Sequence, residues 1–335
     1  MKIGILSAGG DCPGINATIR GVGKAAITYG MEVVGILDGF SGLLYNDVIP
    51  LDERSLSGIL TLGGTILGTS REKPFKKQDS DIIADKPLVI KQNYDKMGLD
   101  SLVCIGGNGT QKTAAQLSAL GINVVGIPKT IDNDVWGTDV TFGFDTAVNI
   151  AVEIIDRLHS TANSHKRVMV IELMGHHAGW IALHAGLAAG GDVILIPEIP
   201  YDIDHINEVL LERSRKGKPY SIVVVAEGIK TRKDEPAGNY IAEQIEKGTK
   251  LETRVTVPGY TLRGGTPSPL DRIIATRMGT YAASLLNRHE FGQMVAIHNN
   301  EMTAVPLKEV GGKTRLVPPD YFLIKQAKKI GTCFG

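Results

Sequence analysis

The sequence predicts an α/β protein built on mostly parallel sheets. Two observations carry this expectation. Short apolar runs recur along the chain, each ending in glycine or proline and followed by a segment with helical spacing. Within the runs apolar and polar residues do not alternate, which implies strands buried on both faces, as in a parallel sheet.

Taken in order, Ile3–Leu6 is the first run; it ends at Gly9-Gly10 and leads to a helix over Ile15–Thr28. Val33–Ile36 ends at Asp38-Gly39, Leu102–Ile105 at Gly106-Gly107 and Val124–Ile127 at Pro128. Val168–Leu173 ends at Gly175, Val193–Ile196 at Pro197 and Ile222–Ala226 at Glu227-Gly228; Met294–Ile297 comes late. The most polar stretches, Asp79–Lys86 and Lys230–Gly238, read as solvated loops or helix edges. Sheets of this kind bind ligands outside the carboxyl ends of their strands, and the glycine and acidic motifs fall there.

Composition sets limits. The 335 residues give room for two ordinary domains or one large α/β unit. With 36 basic and 36 acidic residues there is no global field to draw in nucleic acid or an anionic membrane. Phosphate binding must come from local clusters. Cys12, Cys104 and Cys333 show no metal or redox spacing, and so sparse a set suits a reducing compartment. The first residues enter an apolar strand without a leader pattern, and no run reaches transmembrane length, so a cytoplasmic location is expected.

Four segments carry chemistry. In Ser7–Asn16 the pair Gly9-Gly10 lets backbone N–H groups approach an anion, and the next helix adds its positive N-terminus; an ordinary turn is the alternative. Gly106-Gly107-Asn108-Gly109-Thr110 is a second strand-to-helix turn. It reads as a nucleotide-phosphate cradle, or as a turn in which Thr110 caps the helix. It is not a Walker loop; the only Gly-Lys-Thr, at 312–314, has Leu307 where that loop needs glycine. No Gly-x-Gly-x-x-Gly follows the first strand, which argues against a dinucleotide fold.

The third segment is Pro128-Lys129-Thr130-Ile131-Asp132-Asn133-Asp134. An Asx-rich turn would account for its carboxylates, but Lys129 and Thr130 beside them favour a phosphate site. A sugar hydroxyl is a poor nucleophile near neutrality. A carboxylate within hydrogen-bond reach orients it and takes its proton, and a second acidic group can hold Mg²⁺ through water. The fourth set is cationic: Arg71, Arg167, Arg254 and Arg263. Phosphoryl transfer needs fixed positive charge on the transferring group, and a phosphorylated substrate needs more. His176-His177 has no third ligand at a suitable spacing for a metal.

Together, Gly9–Asn16, Gly106–Thr110, Pro128–Asp134, Ser164–Arg167, Glu172–Gly175 and Arg263-Gly264-Gly265-Thr266-Pro267 resemble the bacterial-type phosphofructokinase family. The match runs in order to about residue 300. The resemblance implies two Rossmann-like α/β/α sandwich domains. A phosphoryl-donor domain would comprise residues 1–143 plus 262–311, and a sugar-phosphate domain residues 144–261 plus 312–335. It implies transfer from ATP, with Mg²⁺, to the C1 hydroxyl of fructose 6-phosphate. Asp132 would be the base, with Thr130, Arg71 and Gly10 in the catalytic set. Gly10, Arg71, Glu72, Gly107, Asn108, Gly109 and Thr110 would line the donor. Thr130, Asp132, Met174, Gly175, His176, Glu227, Tyr260 and Arg263 would hold the sugar phosphate. Arg167 and Arg254 would reach in from a neighbouring subunit of a homotetramer; dimers also occur in the family.

Four departures matter. Asn108 stands where the family has a metal-associated aspartate, which shifts metal binding toward Asp134. Tyr260 replaces a histidine of the sugar-phosphate pocket. Gly109 leaves room for a nucleotide where pyrophosphate users place aspartate, whereas Lys129 is the residue type of pyrophosphate users. ATP is favoured, because a steric block is harder to evade than an extra charge is to tolerate; pyrophosphate is the alternative donor. Finally, Arg20, Lys24, Arg54 and Lys218 fit the family's effector pocket, but His159 replaces an arginine and Asp192 a glutamate, leaving ADP or phosphoenolpyruvate regulation open. More distant readings are an NAD- or lipid-type kinase, which shares the Gly-Gly-x-Gly-Thr element, and a binding regulator without activity.

Overall fold

The computed structural model describes residues 1–76, 83–232 and 235–335. Parts of both polar stretches, residues 79–82 and 233–234, lie outside the described residues.

In chain order the first elements are β1 (Lys2–Ala8), α1 (Ile15–Thr28), β2 (Glu32–Ile36), α2 (Phe40–Tyr45) and β3 (Val48–Pro50). Next come α3 (Lys86–Lys96), β4 (Ser101–Gly106), α4 (Asn108–Ala119), β5 (Val124–Pro128) and α5 (Phe144–His165). Then follow β6 (Val168–Leu173), α6 (Trp180–Ala188), β7 (Val193–Leu195), α7 (Ile203–Arg215), β8 (Ser221–Ala226), α8 (Ala237–Thr249) and β9 (Thr253–Thr256). The chain ends with α9 (Pro269–Asn287), β10 (Gln293–His298), β11 (Glu301–Pro306), α10 (Leu307–Val310) and α11 (Phe322–Lys329).

The chain forms two units: Met1–Thr130 with Asp134–Asp145 and Arg263–Arg315, and Ile131–Asn133 with Thr146–Leu262 and Leu316–Gly335. The first holds a seven-stranded sheet in the order β11-β10-β5-β4-β1-β2-β3. Its inner pairs are parallel, and both edge strands, β3 and β11, run antiparallel. Leu6, Val34, Leu102, Cys104 and Val124 pack against Leu43, Ile90, Tyr94, Leu117 and Val310 of the helices on one face. The alternate residues of the same strands, such as Ile5, Val103 and Val125, are buried on the other. There α1 lies against α9; Ile15, Ile19, Val22 and Ala26 recur at helical spacing and are fully buried.

The second unit holds a four-stranded parallel sheet, order β7-β8-β6-β9. Val170, Leu195, Val223 and Val225 pack on Ile206 and Leu210 of α7 and on Ile241 and Ile245 of α8. No helix among the described residues is long and apolar enough to cross a membrane.

Each apolar run of the sequence is a strand, so the mostly parallel α/β class is found. Three strands escaped the reading: β3, β9 and β11. They are edge strands, short or only partly buried, so they carry no continuous apolar run. One polar stretch needs correction. Lys86, expected on a solvated face, is 7% exposed and bonds Glu72 at 2.8 Å.

Candidate functional site

In each sheet the chain reverses its direction of growth at one point. In the first unit β1 is followed outward by β2, and β4 then starts on the other side of β1. In the second, β8 and β9 fall on opposite sides of β6. Loops leaving the carboxyl ends of strands diverge at such points and leave a crevice for a ligand.

The first crevice is built by β1, β4 and β5, whose last residues are in register: Ala8 pairs with Gly106, and Gly106 with Pro128. Their loops are tied together. Thr110 Oγ1 donates to the Ala8 carbonyl at 3.3 Å. The reading of Thr110 as the helix cap is thereby corrected: Gly107 is the N-cap of α4, and Thr110, in the first turn, faces strand β1. The Lys129 ammonium, 3% exposed, donates to the carbonyls of Ala8 and Gly10. Gly14 starts α1 at φ +105°, a left-handed conformation that favours glycine, and a Cβ there would stand 2.8 Å from the Phe142 ring.

Arg71 is exposed, and its chain segment is fixed on the first glycine loop. Gly9 N–H donates to Ser70 O at 2.9 Å, and Thr69 Oγ1 donates to Gly9 O at 2.7 Å. Glu72 takes the Lys86 ammonium and the Lys73 N–H on one oxygen. Arg263 belongs to this unit; its Nη1 donates to Asp11 O at 3.1 Å and would meet a Cβ on Gly10 at 2.9 Å. A Cβ on Gly109 would meet nothing within 4 Å, so the space that the donor reading requires there is open.

Beyond β5 the loop is held by Thr141 Oγ1 donating to Thr130 O at 2.8 Å and Arg315 N–H donating to Asp134 O at 2.7 Å. Asp132 and Asp134 are buried, at 8% and 6% exposure. Asn108 Nδ2 donates to the Asp134 carboxylate at 3.0 Å and to its carbonyl at 3.1 Å. Asn108 Oδ1 is buried and has no hydrogen-bond partner among the described residues. The Asn108 amide oxygen and the Asp134 carboxylate are hard oxygen donors of the kind Mg²⁺ takes, although it is the amide nitrogen that faces the carboxylate.

The second crevice lies between the ends of β6 and β8, where Leu173 pairs with Ala226. Met174, Gly175, His176 and Glu227 all follow these ends. Glu227 Oε1 accepts the N–H groups of Gly175 at 3.1 Å and His176 at 2.7 Å. His176 sits at φ +54°, and a Cβ on Gly228 would stand 2.5 Å from its carbonyl. The turn therefore depends on a glycine in the facing loop. Tyr260 is 76% exposed. Among the described residues no group of three His, Cys, Asp or Glu side chains is arranged for a metal, His176 and His177 included.

Arg167 and Arg254 lie elsewhere. Arg167 immediately precedes β6, and Arg254 pairs with Met169 near its start. At the usual rise per residue, Arg167 lies the length of β6, about 20 Å, from Met174, and Arg254, level with Met169, about 16 Å. Sequence reasoning missed Glu252, which bonds both arginines, at 2.7 Å and 2.5 Å. A signal was present, since Glu252 and Arg254 are two apart on one extended segment and so share a face.

Of the effector-type residues, His159, Asp192 and Lys218 line a cavity of the second unit with Gly190, Arg213 and Tyr220. Arg213 pairs with Asp192 at 2.6 Å, and His159 bonds Ala189 O at 2.7 Å and the Tyr220 hydroxyl at 3.0 Å. Burial raises the Asp192 carboxyl above its ordinary value. Arg20, Lys24 and Arg54 belong to the first unit. The cysteines are free; burial pushes the Cys104 thiol up to about 12 and raises Cys12 as well, so neither is a thiolate near neutrality.

Residues 2–286 match the family model described as Phosphofructokinase. Over the full length of both chains the sequence is 61% identical to ATP-dependent 6-phosphofructokinase 3 of Bacteroides thetaiotaomicron. It is 45% identical, again over both full lengths, to a pyrophosphate–fructose 6-phosphate 1-phosphotransferase of Streptomyces coelicolor. Among solved structures, phosphofructokinase from Saccharomyces cerevisiae superposes with a TM-score of 0.83 at 32% identity, over 92% of this chain and 45% of the yeast chain.

Proposed function

The chain belongs to the phosphofructokinase family, and we propose that it transfers the γ-phosphoryl group of ATP to the C1 hydroxyl of fructose 6-phosphate, a step of glycolysis. The observation that carries this reading is the placing of both ligand-type motif sets at the two points where the sheets reverse growth.

The donor polyphosphate lies on the loops after β1 and β4, where Gly10 and Gly107 allow backbone N–H groups to reach it and Thr110 closes the turn. Arg71, held through Gly9, supplies fixed positive charge to the transferring group. Asp132 orients the C1 hydroxyl and accepts its proton as the phosphorus–oxygen bond forms and ADP leaves; Thr130 flanks it. Asn108 and Asp134 would hold Mg²⁺, which neutralises polyphosphate charge when bound. Glu227 fixes the Gly175–His176 turn, which with Met174 grips the sugar; Tyr260 and Arg263 keep the phosphate-binding roles that the family resemblance gives them.

Arg167 and Arg254 are too far along β6 from Gly175 to touch the same hexose phosphate within one chain. This supports a role in the sugar site of a second copy, in a homotetramer or a dimer. The free cysteines favour a cytoplasmic location.

Gly109 supports ATP. Lys129, bonded to Ala8 and Gly10, fixes the glycine loop, which accounts for a lysine in an ATP user. The pyrophosphate reading rests on that same lysine type and on the Streptomyces relative. A coupled assay with fructose 6-phosphate and either donor tests this: turnover with ATP is expected, and turnover with pyrophosphate alone would reverse the assignment.

A further inference from the structure

We propose that Glu252 is a positioning residue that assembles Arg167 and Arg254 into one phosphate-binding pair; this deepens, and rests on, the role given above to those two arginines. The arrangement begins with strand register. Val168 N–H donates to Glu252 O at 3.0 Å, and Val168 pairs with Thr253, so Arg167 and Glu252 face each other just before β6 and β9. Arg254 lies two residues on, along the same extended segment. One carboxylate oxygen, Glu252 Oε1, accepts from Nη2 of Arg167 at 2.7 Å and from Nη2 of Arg254 at 2.5 Å. Arg254 Nη1 has a second anchor, donating to Thr253 O at 2.8 Å.

Sharing one acceptor brings the donor nitrogens within about 5 Å of each other. Two guanidinium groups so close repel in water, and the carboxylate between them offsets that repulsion. The cluster keeps a net positive charge. The Arg167 and Arg254 side chains remain 27% and 50% exposed, accessible to a dianionic phosphate ester. The hydrogen bond from Arg167 holds the Glu252 carboxyl below its ordinary value, so the pairing charge persists at neutral pH. Without Glu252, Arg167 returns to its own rotamers and Arg254 keeps only the Thr253 carbonyl, so the phosphate must bring the two together on binding.

The test is steady-state kinetics of the full-length enzyme. Glu252→Ala is expected to raise KM for fructose 6-phosphate about tenfold, with kcat within about twofold and KM for ATP unchanged. Glu252→Asp, one methylene shorter, is expected to behave like the alanine variant and decides the matter if that variant does not fold. Glu252→Gln keeps an acceptor oxygen but loses the charge that offsets the repulsion, and is expected to fall between wild type and the alanine variant. In an Arg254→Ala background, Glu252→Ala is expected to add little. An unchanged or lowered KM in the alanine and aspartate variants, or full additivity with Arg254→Ala, overturns the proposal. If Arg254→Ala itself leaves that KM unchanged, the arginine assignment fails first and this inference falls with it.

Discussion

At the residue scale the donor choice rests on an open space and a buried lysine. Because a Cβ at Gly109 meets nothing, Gly109→Asp is expected to fold normally while placing negative charge where a nucleotide would lie. KM for ATP is expected to rise at least about tenfold with little change in KM for fructose 6-phosphate, measured by the same coupled assay. An equal effect on both substrates would mean that Gly109 does not face the donor. That the glycine turns and Asp132 follow strand ends was legible in the sequence, because continuous apolar runs mark where β1, β4 and β5 stop. The pairings of Glu252 and Lys86 were not. A single charged residue in a polar stretch gains meaning only from its partner: Glu72 is far from Lys86 in sequence, and although Arg254 stands two residues from Glu252, the bond to Arg167 that joins the pair is long-range.

At the element scale the sheets were legible wherever burial on both faces leaves a continuous apolar run, as in β4, β5 and β8. Edge strands lack that signature, and register cannot be read from periodicity, so the alignment of Ala8, Gly106 and Pro128 emerged only in three dimensions. The packing of α1 on α9 was equally hidden, because it depends on glycines that sequence patterns treat as turn residues. A Cβ on Gly279 would stand 2.7 Å from Thr18 O and 2.8 Å from Val22 N. Gly279→Ala is therefore expected to destabilise the enzyme by about 1–3 kcal/mol, read as a lower urea midpoint. An unchanged midpoint would show that the two helices can separate at no cost.

At the scale of the whole molecule, the proposed sugar site draws on residues near both ends of β6, and the proposal closes it with a second copy of the chain. Asp132→Asn and Arg254→Ala, each impaired alone, are expected to complement when co-expressed, since about one site in four would draw a sound residue from each copy. Failure to recover activity in verified hybrid oligomers would assign Arg254 to its own chain's site. In the proposed function the proton transfer depends on Asp132, and its most direct measurement is the kcat of Asp132→Asn with ATP beside an independent dissociation constant for fructose 6-phosphate. A fall of about 10²–10⁴-fold in kcat with sugar affinity held within about threefold is the predicted result. An unchanged kcat would contradict the account, because no carboxylate at that position would then be taking the proton.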